Sequence, residues 1–101
     1  MKKSTTSHAS DPLAIVGDYW SLRILLALKD AKELRFCGMQ RELDDLNPVT
    51  LTNRLKRLEE ARIIDRFDDP ESKLGVCYRL NGNGTKLLPV LTEVEKLLPQ
   101  K

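Results

Sequence analysis

The chain has 101 residues, 41% hydrophobic and 32% charged, which is the size and balance of one compact globular domain. A domain this short buries only about two-thirds of its unfolded surface, so a second subunit would help to stabilise it. Seventeen Lys and Arg against fifteen Asp and Glu leave a net charge of +2, so a case for nucleic acid must rest on where the charges stand.

The opening MKKSTTSHAS is positive at its start but lacks the apolar stretch of a secretory signal. It predicts a flexible arm over residues 1–10, followed by one domain over 11–98. No apolar run approaches the roughly 20 residues that cross a bilayer, which predicts a cytoplasmic protein with no membrane partner. Cys37 and Cys77 make no disulfide framework, and with His8 alone they give no zinc spacing. Neither metal nor cofactor is expected.

Asp11-Pro12 reads as N-cap and first helical residue, with Leu13 and Val16 on the apolar side and Gly17 at the end. A second helix is predicted from about Asp18 to Lys29, with Trp20, Ile24 and Leu28 one above another and Leu25 beside them. Asp30 to Lys32 form a connection and Leu34 to Phe36 an extended stretch. A short helix then runs from Cys37 to Asp45, with Met39 and Leu43 inward. Gly38 weakens it by about 1 kcal/mol relative to Ala, so packing must hold it in place.

The strongest start signal is Asn47-Pro48, a good N-cap before a proline in the first turn. Leu51, Leu55 and Leu58 follow at helical spacing and predict a helix from about Pro48 to Ala61. Ile63 to Phe67 and Val76 to Leu80 read as strands joined through the turn formers of Asp68 to Gly75. A final helix is entered through Asn81 to Gly84 and runs to about Leu98. Pro89 either bends it or marks where regular helix begins. Leu87, Leu91, Val94 and Leu98 make one stripe, with Val90, Leu97 and Leu88 to its sides. That arc is wider than one core requires and leaves surface for a partner. The fold class is mainly α with a small β-hairpin.

Two helices joined by the tight Asp45-Leu46-Asn47 connection, then a hairpin, fit a winged helix-turn-helix. In that layout the second helix offers its N-terminal residues to base edges in the major groove. Opposite the leucines stand Val49, Asn53, Lys56 and Glu60, flanked by Thr50 and Arg57. Asn53 matches adenine; Thr50 supplies a hydroxyl and a methyl; Arg54 or Arg57 can pair with guanine or phosphate. Free N–H groups near Cys37 and after Pro48 would suit phosphates. Lys73 near the hairpin tip, with Arg66 and Arg79 on its strands, would touch the backbone or the minor groove. Asp68, Asp69 and Glu71 oppose a deeply embedded wing. A polar helix face can also be merely solvated, so a winged-helix protein-interaction module is the alternative. An enzyme is not expected: no nucleophile has a base at useful spacing, and no glycine loop would cradle phosphate.

The same residues resemble the HxlR-type winged helix-turn-helix regulators from Asp11 to Leu98. The resemblance is carried by Val16-Gly17-Asp18-Tyr19-Trp20, Ile24-Leu25, Leu34-Arg35-Phe36, Asn47 to Glu59, Tyr78-Arg79-Leu80, and Gly84 ahead of Leu87 to Leu91. It implies a homodimer joined by its first and last helices, binding an inverted repeat of double-stranded DNA. It puts the recognition helix at Thr50 to Arg57 and the wing at Asp68 to Gly75. Some members of the family sense oxidants through a cysteine just before the first proline. Asp11 stands there in this chain, so no sensor of that kind is implied and no effector is named. Cys37 and Cys77 read as small packing residues, with a thiol switch as the alternative. The glycine usual after the recognition helix is Arg62 here, so the exit into the wing is expected to differ.

Overall fold

The computed structural model describes residues 18–69, 71 and 75–97. The expected arm, the expected helix from Asp11 to Gly17, and Lys73 lie outside these residues.

Helix α1 spans Tyr19–Ala31, with Asp18 as its N-cap accepting from the Ser21 N–H at 2.9 Å. It ends where Lys32 turns left-handed at φ 73° and donates its N–H to the Leu28 carbonyl at 2.9 Å. Strand β1, Glu33–Arg35, leads directly into α2, Phe36–Glu42. Helix α2 stops short of the predicted Asp45 because Asp44 and Asp45 both take φ 59°. Among non-glycine residues Asp is one of those that tolerate this region. The turn is held by the Gln40 amide donating to the Leu46 carbonyl at 2.8 Å.

Helix α3, Pro48–Glu60, starts where the Asn47-Pro48 signal places it. Strands β2, Ile64–Asp68, and β3, Val76–Leu80, form the hairpin. Both β1 and β2 pair antiparallel with β3, with Leu34 and Arg66 opposite Tyr78 and Phe67 opposite Cys77. The sheet therefore has three strands in the order β1-β3-β2, where the sequence pattern predicted a hairpin alone. Three residues are too few to show an alternation, and only pairing with β3 makes Glu33–Arg35 a strand.

The predicted last helix is two helices, α4 at Gly82–Lys86 and α5 at Leu88–Glu95. Asn81 caps α4 by accepting from the Gly84 N–H at 3.0 Å. Pro89 lies in the first turn of α5, where its missing N–H costs no helical bond. A Cβ on Gly84 would overlap the Ile63 carbonyl oxygen, so only glycine lets α4 lie against the start of the wing.

The core lies between the helices and one face of the sheet. Ile24, Leu25 and Leu28 of α1, Met39 of α2, and Leu51, Leu55 and Leu58 of α3 meet Ile64 and Tyr78 of the sheet and Leu91 of α5. Trp20 packs at the edge of this core with its ring edge-on to Tyr19, centroids 4.8 Å apart. Helix α1 is the common partner, packed against α3, α5 and β3. Each fully buried leucine contributes about 1.5–3 kcal/mol, so the α3 leucines are enough to hold a helix whose other residues are mostly polar.

Candidate nucleic-acid interface

The α3 stripe turns Leu51, Leu55 and Leu58 inward and leaves a polar face outside. Asn53 and Lys56 are exposed, Thr50 and Arg57 half-buried. Val49 is 67% exposed, an apolar side chain held in water in the first turn of the helix. Five of the predicted reading residues thus share one open face or its borders.

Arg54 stands apart from them. Its Nε–H donates to Asp18 Oδ2 at 2.8 Å, tying the inner flank of α3 to the cap of α1. Partial burial pushes the Asp18 carboxyl up. Hydrogen bonding by Ser21 and the adjacent Arg54 guanidinium outweigh it and hold the group below its ordinary 3.8. Asp18, read from the sequence as a helix start, is the partner of the predicted reading residue Arg54. A cap partner 36 residues away leaves no local signal.

The α3 N-terminus is less open than expected. Asn47 Oδ1 accepts from the N–H groups of Val49 at 2.8 Å and Thr50 at 3.4 Å, so these donors are already engaged. Helix α2 has no side-chain cap, and its first amides are not engaged in that way.

On the wing, paired residues share a sheet face. Arg66 stands opposite Tyr78, on the face turned to α3. Thr52, Lys56, Glu59, Arg66 and Tyr78 line a groove of about 370 Å³ between α3 and the wing. Burial raises the Tyr78 hydroxyl above its ordinary value, with Arg66 opposing, so it remains a neutral donor at physiological pH. Thr52 of α3 and Tyr78 of β3 are further residues of this groove, brought together by the packing of the wing beside α3. Arg79 lies on the other face, its guanidinium 4.7 Å from the centre of the Phe67 ring, away from α3.

The wing's acidic residues are partly neutralised. Asp69 pairs with Arg35 of β1, and its N–H donates to the Gly75 carbonyl at 3.0 Å, closing the base of the wing. Cys77 is buried close by, and burial together with Asp69 and Glu33 pushes its thiol up. A thiol so raised is a poor nucleophile at neutral pH. Cys37 is exposed on α2.

Arg62, where the family resemblance leads one to expect glycine, takes φ 61°, in the left-handed region that glycine enters most readily. Its carbonyl accepts from the Asn83 amide at 3.1 Å, joining the exit of α3 to α4.

The chain is similar in sequence and fold to known regulators. The chain is 30% identical over 84 residues to the HTH-type transcriptional regulator YdzF of Bacillus subtilis, covering 83% of this chain and 77% of that protein. It is 29% identical over 82 residues to an HTH-type transcriptional regulator of Halalkalibacterium halodurans, covering 81% and 73%. The structure of the reduced transcriptional regulator YodB from B. subtilis superposes with a TM-score of 0.74 at 27% identity, over 92% of this chain and 90% of that one. Residues 15–100 match the HxlR-like helix-turn-helix model, and the chain belongs to that family.

Proposed function

We propose that this protein is a dimeric, sequence-specific DNA-binding transcriptional regulator of the cytoplasm, with no enzymatic step of its own. The observation that carries the reading is the open face of α3, where Val49, Thr50, Asn53, Lys56 and Arg57 stand over a three-leucine anchor. In the major groove Val49 would meet a thymine methyl, Asn53 an adenine edge, and Arg57 a guanine or a phosphate. Lys56 and Arg66, on either side of the groove beside the wing, would hold the DNA backbone, with Lys73 adding a charge nearer the tip. Arg54, with Nε committed to Asp18, keeps its terminal N–H groups for a phosphate.

The partner copy would join through the C-terminal helix. Val90 and Leu97 are 47% and 83% exposed beside the buried Leu91, which suits a second copy of the same surface. Two recognition helices then meet successive major-groove faces of an inverted repeat about one helical turn apart.

Selection of binding sites from random DNA duplexes tests this with the full chain. An enriched inverted repeat is expected. Recovery of no motif by a folded protein would remove the DNA-binding reading and leave the protein-interaction alternative.

A further inference from the structure

Helix α1 is fastened at both ends, and the two fastenings lead to different parts of the molecule. At its N-terminus one oxygen, Asp18 Oδ2, accepts from the Ser21 N–H of α1 at 2.9 Å and from Arg54 Nε of α3 at 2.8 Å. At its C-terminus the Lys29 ammonium pairs with Glu95 of α5 at 2.9 Å. A helix of this length spans about 20 Å. Ile24, Leu25 and Leu28 along it are buried against α3 and α5, so it behaves as a rigid rod between them.

The leucines beneath α3 give it adhesion but little direction, because apolar contact is non-directional. Among the described residues, the Arg54–Asp18 bond is the one side-chain hydrogen bond between α3 and another helix or strand. Both side chains are largely withdrawn from water, 23% and 20% exposed, which screens the pair less than a surface contact. Arg54 also lies on the flank of α3 beside Thr50 and Arg57, so any rotation of the helix against α1 moves the reading face.

We infer that Asp18 is a positioning residue for operator recognition. Through Arg54 it fixes the rotation of α3 against α1, and so sets the spacing at which the two recognition helices of a dimer meet their half-sites. This rests on the dimeric DNA-binding reading above and adds to it the element that sets the geometry.

The test compares full-length wild type with Asp18→Asn and Asp18→Ser. Both replacements are strong N-caps, so α1 stays capped while the charged partner of Arg54 is lost. Affinity is measured by gel shift on the selected operator and on operators with one base pair inserted or deleted between half-sites. Wild type should discriminate clearly between spacings. The variants should bind the optimal operator about fivefold or more weakly and discriminate less, with their dimer state and circular dichroism unchanged. The double variant Asp18→Asn with Arg54→Gln should bind no more weakly than Arg54→Gln alone, because both changes break one contact. Wild-type affinity and spacing preference in both Asp18 variants would overturn the inference. Full additivity in the double variant would do the same, since Arg54 would then act by touching DNA independently of Asp18. A wild-type protein that selects no duplex would instead overturn the DNA-binding reading, and this role with it.

Discussion

Arg62 shows how a single residue carries a backbone cost that its neighbours maintain. An L-residue other than Gly, Asn or Asp in the left-handed region is strained by about 1–2 kcal/mol, and Arg62 sits there at φ 61° with its side chain exposed. Arg62→Gly is expected to raise stability by about 1 kcal/mol and the melting temperature by about 4 °C, while Arg62→Ala, which keeps the Cβ, does not. A thermal melt in which glycine and alanine behave alike would refute the strain argument. Asp18 gives a pH signature. Its carboxyl is held below the unfolded value, so its stabilising contribution is full above that value and is lost as pH falls through the folded value. Asp18→Asn should therefore lie below wild type in urea midpoint by a constant amount above about pH 5, and the gap should close on going well below about pH 4. A gap unchanged down to pH 3 would show that the ionised carboxylate is not responsible. On the reading face, Arg57→Ala should weaken operator binding by about tenfold or more while the melt is unchanged, as expected for a lost contact to a base or a phosphate. Unchanged affinity in a gel-shift titration would remove Arg57 from the interface.

At the scale of elements, the helix-turn-helix shows propensity and packing acting in different places. Helix α3 is specified locally: Asn47 caps it, Pro48 starts it, and its leucines recur at helical spacing. Helix α2 is not, because Gly38 sits in a seven-residue helix with no side-chain cap. A Cβ at Gly38 would meet Leu34 Cδ2 at 3.5 Å, an ordinary contact. Gly38→Ala should therefore stabilise the protein by about 1 kcal/mol, seen as a raised urea midpoint. A lowered midpoint would mean that the backbone of α2 needs the glycine. The three-residue strand β1 and the split between α4 and α5 belong at this scale too. The first depends on its partner β3. The second depends on the turn at Leu87, after which Pro89 lies in a first turn and no longer interrupts a helix.

At the scale of the whole molecule, α1 packs on both α3 and α5, and Val90 of α5 and Leu97 just after it are the exposed apolar side chains on which the proposed dimer can be tested. Replacing both Val90 and Leu97 by Asp should shift the protein to monomer in sedimentation at micromolar concentration and abolish tight operator binding. A monomer offers only one recognition helix, so it loses the second half-site. A variant that stays dimeric would place the interface elsewhere.

Some of this was decided by the chain alone, because capping and periodicity are local. Asn47-Pro48, the leucine stripe of α3, the Asn81-to-Gly84 entry and the two strands of the wing stand where their residues place them. The exposed face of α3 was legible for the same reason: once the buried leucines are known, helical geometry puts Val49, Asn53 and Lys56 opposite them. Contacts between residues far apart in the chain needed the tertiary structure. Only it pairs β1 with β3, turns Arg66 toward α3 and Arg79 onto Phe67, and takes Arg54 from the reading face to Asp18. Each depends on register or on the meeting of two helices, and neither leaves a periodic trace in a single sequence.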